Sequence, residues 1–162
     1  RVACDPLRGG FGMSELAIRN RQRSRSVRSL PLKKIARALL TELLDVLEFE
    51  VCVHLVSSSQ MAKLNARFLR HSGSTDVITF DSRESSQPDR IAGEIFISVD
   101  DAVAHACKFR TSWQSEIVRY VIHGVLHLCG FDDLKPTQRR RMKREENRLL
   151  RQIRHRFALN RL

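Results

Sequence analysis

The run SEIVRYVIHGVLHLCGFDD, residues 115–133, constrains this chain most, because one end of it must be helical and the other end cannot be. Apolar residues recur at helical spacing from Ile117 to Leu128, with His123 and His127 set four residues apart. On a helix those imidazoles share a face with Cβ atoms about 5–6 Å apart, so both can reach one ion about 2.0–2.1 Å from each nitrogen. Asp133 follows six residues later, about 600° around a continued helix and therefore on its far side. The helix must stop in between, and Gly130 marks the place, since glycine takes the left-handed C′ conformation without steric cost. The pattern H-x-x-x-H-x-x-G-x-x-D thus predicts one divalent metal, zinc by preference, on His123, His127 and Asp133. Two histidines on an apolar helix also occur as buried, hydrogen-bonded core residues, which is the competing reading of His123 and His127 taken alone.

The spacing matches the metzincin ligand pattern with Asp in place of the last His. In H-E-x-x-H proteases the residue after the first His is the Glu that deprotonates water, and here that position is Gly124. A metal still acidifies water, so hydrolysis needs only another group to take the proton. Glu116, seven residues before His123 on the same helix face, and Asp132 are the candidates; each also reads as an ordinary surface or supporting acid.

At 162 residues the chain suits one hydrophobic core. Its longest apolar runs are a few residues, far short of the roughly 20 that span a bilayer, so no membrane segment is expected. Cys4, Cys52, Cys107 and Cys129 form no C-x-x-C pair, and the last three sit in apolar-patterned segments that favour buried thiols and a reducing, cytoplasmic setting. The net charge of +11 is concentrated at the ends: residues 1–32 carry +5, residues 134–162 carry +9 and the middle carries −3. Basic ends on a mildly acidic core suit a polyanion such as nucleic acid, although a solvated charged face is the plainer alternative. Residues 1–12 read as an N-terminal extension, disordered or of upstream origin, without the apolar core of a secretory signal, and residues 13–162 as a single domain.

Along that domain a short strand is expected at Leu16–Asn20, then a helix from near Pro31 with Ile35, Leu39, Leu43 and Leu47 on one face. EVCVHLVS alternates as a strand with Val51, Val53 and Leu55 on one side, and Ser57 to Ser59 can cap a helix carrying Met61, Leu64 and Phe68 into the core. DVITF and IAGEIFISV read as two neighbouring strands. Helices follow from Asp100 to Phe109, from a Thr111 or Ser112 cap to Cys129, and from Pro136 onward, the last docking by Leu149, Leu150, Ile153 and Phe157 with its arginines outward. Asn65 caps or lines a groove, while His54 and His105 lack partner spacing and read as structural or exposed. The sum is an α/β (α+β) domain of about four strands in a mixed sheet and about five helices, the helices largely on one face and the metal site at a helix-to-turn junction.

Three ordered motifs, LNARFLRHSGSTDVITF, GEIFISVDDAVAHA and HGVLHLCGFDD, together resemble the YbeY family of ribosomal-RNA maturation endoribonucleases, from about Met13 to Leu150. The resemblance implies a single-domain α/β fold, a zinc-like ion at the two-histidine helix, and cleavage of single-stranded RNA near the 3′ end of small-subunit ribosomal RNA. The expected partner is ribosomal RNA or the small ribosomal subunit, with a role in ribosome quality control; a monomer is expected, with no DNA or membrane involvement. The rival readings are a metal-stabilised RNA-binding assembly factor without catalysis and a metzincin-like peptidase. The family's third ligand is His, which alignment replaces here by Asp133, hardening the site. Its cleft arginine follows an aromatic residue; here Phe68 is followed by Leu69, with Arg67 and Arg70 beside them. Thr75 and Asp76 fall where the family places part of its cleft and also read as a turn cap.

Overall fold

The alternating segment around Val51 becomes the second strand of a four-stranded sheet in the computed structural model, which describes residues 14–69, 73–87 and 90–162. The strands are β1 (Glu15–Asn20), β2 (Phe49–Val56), β3 (Val77–Asp81) and β4 (Ile91–Ser98). Their order is β1-β2-β4-β3, with β1, β2 and β4 parallel and β3 antiparallel to β4. The parallel β1–β2 step needs a crossover, which α1 (Ser29–Ala38) supplies, whereas β3 and β4 pair directly as sequence neighbours in the register Val77 to Ile97.

The helices α2 (Ser58–Leu64), α3 (Val99–Phe109), α4 (Trp113–Leu128) and α5 (Pro136–Arg156) complete the domain. Each start has a local cause. Ser57 and Gln60 form a capping box for α2, Ser98 caps α3, Ser112 rather than Thr111 caps α4, and Pro136 opens α5. The main core lies between one sheet face, bearing Val51, Val53, Leu55, Ile95 and Ile97, and helices α1 and α4, with Leu149, Leu150 and Ile153 of α5 joining it. A smaller cluster of Val56, Met61 and Ile78 sits on the opposite face beneath α2. The expected mixed sheet with helices largely on one face is therefore observed.

Three sequence expectations fail for identifiable reasons. Leu47 is 75% exposed, because α1 widens into a π-helical turn at Leu39–Leu43 and the chain then bends through Asp45 at φ 54°, so Leu47 is never on the helix. Phe68 is 51% exposed, because the turn Asn65–Leu69 is also π-helical and rotates it off the face that buries Met61. It meets Phe80 edge-on with ring centroids 5.2 Å apart. Cys107 is exposed on the outer face of α3, whose inner face is Val99, Ala102 and Ala106. The proposed extension at residues 1–12 lies outside the described residues.

Candidate metal centre

Helix α4 lies against β4 so closely that a Cβ at Gly124 would stand 2.6 Å from Ile95 Cγ2. That approach fixes the rotation of α4 and turns His123 and His127 away from the sheet interior, where both remain partly exposed. The helix ends in a Schellman motif: Gly130 N–H donates to His127 O (2.9 Å) and Phe131 N–H to Leu126 O (3.0 Å), with Gly130 at φ 85°. The chain reverses and returns Asp133 to the histidines. One ligand atom each from His123, His127 and Asp133 lies within 4.8 Å of the other two.

The hydrogen bonds fix how the rings face. His123 Nδ1 meets the Glu146 carboxylate at 2.6 Å, and His127 Nδ1 meets Phe131 O at 3.1 Å. Carboxylate and carbonyl accept only, so each neutral ring carries its proton on Nδ1 and turns an Nε2 lone pair toward the other, 3.0 Å away. Two facing lone pairs repel unless a cation or a proton lies between them. Asp133 Oδ1 is 4.0 Å from His127 Nε2. A tetrahedral ion with bonds of about 2.0–2.1 Å sets its ligands about 3.4 Å apart, between the two observed separations, so these residues fit a zinc-class ion. Burial pushes the neighbouring Cys129 thiol up to about 11, and Cys129 is not grouped with these three residues.

Glu146 is the residue that sequence reasoning missed. It is 6% exposed, and Arg119 stands 3.7 Å from its other oxygen. A signal exists in the sequence: Glu146 shares the apolar stripe of α5 with Met142, Leu149 and Ile153, and an acid on such a stripe needs a partner. We expect Glu146→Gln, which keeps the shape and removes the charge, to weaken zinc binding about 10–100-fold, as is typical for a carboxylate behind a ligating His. Chelator competition measures this, and unchanged affinity would remove Glu146 from the metal's support.

The other sequence candidates are dispersed. Glu116 is buried, accepts from Thr111 Oγ1 (2.6 Å), sits 3.8 Å from Arg119, and lines a cavity of about 490 Å³ together with His123 and Asp133. Asp132 Oδ1 instead accepts the backbone N–H groups of Asp133 (2.7 Å) and Leu134 (3.2 Å), shaping the return turn. Asp76 lines the 490 Å³ cavity, while its carboxylate accepts from Thr75 Oγ1 and Val77 N–H at the start of β3. Arg67 lies over the Phe68 ring at 5.2 Å, and Arg70 falls outside the described residues. Asn65 donates to Gly73 O (2.8 Å), holding the loop before β3. His105 is hydrogen-bonded to Tyr120 Oη (2.7 Å) on the cavity wall, and burial raises the Tyr120 phenol, keeping it protonated. A second cavity of about 510 Å³ runs along β3 past Val77, Thr79 and Asp81 and shares His123 and Asp133 with the first. The ligand cluster therefore sits where two cavities meet, between the edge strand β3 and helix α5.

The YbeY family model, described as endoribonuclease YbeY, matches residues 17–154. The endoribonuclease YbeY of Parabacteroides distasonis is 40% identical over 94 residues, covering 58% of this chain and 64% of that protein. The relative of the same name in Chlorobium phaeovibrioides is 33% identical over 126 residues, covering 76% and 83%. The solution structure of TM1509 from Thermotoga maritima superposes with a TM-score of 0.63 at 25% identity, over 86% of this chain and 89% of that one.

Proposed function

Since the chain belongs to the YbeY family, we propose that it is a metal-dependent, single-strand-specific endoribonuclease acting in ribosomal-RNA maturation, near the 3′ end of small-subunit ribosomal RNA, and in ribosome quality control. The observation that carries this reading is the pair of facing His Nε2 atoms at the junction of two open cavities that share His123 and Asp133. When bound, a divalent ion, which we take to be zinc, supplies Lewis acidity: it lowers the pKa of water toward 7 and stabilises charge on a phosphate under attack.

The protein's own residues do the rest. Glu146 and the Phe131 carbonyl hold the two imidazoles in one tautomer and orientation, and Asp133 adds a carboxylate. Arg119, Arg139 and Lys143 line the cavity beside them and offer positive charge to the sugar-phosphate backbone. Of the two acids considered as proton acceptors, Glu116 faces this cavity, whereas Asp132 is tied to two backbone amides, so we assign the proton to Glu116. Asp76, which accepts from Thr75, is an acceptor suited to a ribose hydroxyl, and we take Arg67 and Arg70 as further RNA-binding residues on the strength of the sequence motif that contains them. We take residues 13–162 as one functional domain, monomeric and cytoplasmic, with ribosomal RNA or the small ribosomal subunit as partner; no described helix is long and apolar enough to cross a membrane.

The test is incubation of the purified chain with a structured RNA carrying a single-stranded 3′ tail, before and after chelation and after zinc is restored. Cleavage within the tail that chelation abolishes and zinc restores is expected. A chain that never cuts when zinc-loaded, or cuts equally well with chelator, would defeat the proposal.

A further inference from the structure

On the sheet face turned away from α4, a second group of metal-ligating side chains is assembled by strand register. Cys52 on β2 stands opposite Glu94 on β4, and His54, two residues along β2, points to the same face beside it. One ligand atom each from Cys52, His54 and Glu94 lies within 4.8 Å of the other two. His54 Nε2 meets Glu94 Oε1 at 3.0 Å, and the ring stacks on Phe96 at 4.3 Å and 6°, which fixes its plane. His54 is 2% exposed, yet its Nδ1 has no hydrogen-bond partner among the described residues. An ion shared with Glu94 would be met by Nε2, the ring nitrogen already turned to that carboxylate, in place of the proton between them.

We propose that Cys52, His54 and Glu94 form a second site for a thiophilic divalent cation of the zinc class, independent of the His123 cluster and of the reaction assigned to it. The donor types select the ion: a thiolate with an imidazole suits zinc and its softer neighbours and disfavours magnesium and calcium. Charge balances as well, because thiolate and carboxylate offset the ion's two positive charges, leaving a neutral site on a face that also carries Arg19. Zinc bonds of about 2.3 Å to sulfur and about 2.0–2.2 Å to nitrogen and oxygen set ligands about 3.3–3.6 Å apart, inside the 4.8 Å span that already contains the three ligand atoms. Entry is open: Cys52 and Glu94 line a cavity of about 590 Å³ bordered by Glu15, Glu50, Arg83 and Arg90. An ion there would pin β2 to β4 from the side that α4 does not cover.

Cobalt(II) is the probe, since cobalt bound to a thiolate has a sulfur-to-metal charge-transfer band that cobalt on His123, His127 and Asp133 lacks. Wild-type protein saturated with cobalt is expected to show the band, and Cys52→Ser to lose it together with one bound ion per chain. A Cys4→Ser, Cys107→Ser, Cys129→Ser triple variant should keep it. Should Cys52→Ser not fold, Glu94→Gln replaces it: that side chain is 37% exposed, and the change should weaken the band-forming cobalt at least tenfold. A band absent from wild type, surviving in folded Cys52→Ser, or unaffected in affinity by Glu94→Gln overturns the site.

Discussion

Replacing both His123 and His127 by Ala is expected to yield a folded chain that purifies without metal at the α4 site and cuts a single-stranded RNA tail at least about 100-fold more slowly than wild type. The magnitude follows from position: a carboxylate behind a ligand is worth about 10–100-fold in affinity or activity, and removing two ligands outright exceeds that. Asp133 alone offers one carboxylate, which does not hold zinc. Folding should survive because both rings are partly exposed and the Glu146 carboxylate freed from His123 keeps Arg119 at 3.7 Å. Circular dichroism checks the fold, elemental analysis the metal and gel electrophoresis the cleavage. A metal-free variant that still cuts at the wild-type rate would return the two histidines to a structural role.

The candidate ligand pattern is legible in the amino-acid sequence because all of its parts are local. Two histidines four residues apart, a glycine that must adopt positive φ and an acid just beyond it lie within eleven residues, and helix geometry alone relates them. Ser57, Ser112 and Pro136 are equally readable as helix starts, since caps act within one turn, whereas the Ser98 cap places the start of α3 one residue before the expected Asp100. What escapes such reading is set by contacts distant in sequence. Glu146 meets His123 across 23 residues, and nothing near either residue specifies the pairing. The Cys52, His54 and Glu94 group depends on β2 and β4 being parallel neighbours, a strand order that hydrophobic periodicity does not supply. Leu47 and Phe68 are misplaced by a different physics: both lie in or beyond π-helical turns, which change the residues per turn and so the face each residue meets.

Restoring the acid of the H-E-x-x-H proteases by Gly124→Glu is expected to unfold the protein rather than create a peptidase. Position 124 points at the sheet, not the groove, and even a Cβ there would lie 2.6 Å from Ile95 Cγ2 and 2.9 Å from Ile95 Cδ1. Ile95 is fully buried between β2, β3 and α4, so it has nowhere to retreat. Gly124→Ala isolates the steric part. Alanine favours a helix by about 1 kcal/mol over glycine, overpacking costs about 1–3 kcal/mol, and the balance should be a modest loss of stability. Glutamate adds a longer side chain and a carboxylate that is either buried without a partner or protonated, at several further kcal/mol. Against a typical stability of about 5–15 kcal/mol, the glutamate variant should be largely unfolded or aggregated at room temperature while the alanine variant still melts cooperatively. Thermal denaturation of the two variants decides the matter. A cooperative, wild-type-like transition for Gly124→Glu would mean that α4 can move off β4, and would remove the argument that packing against Ile95, rather than chance, excludes the protease base from this site.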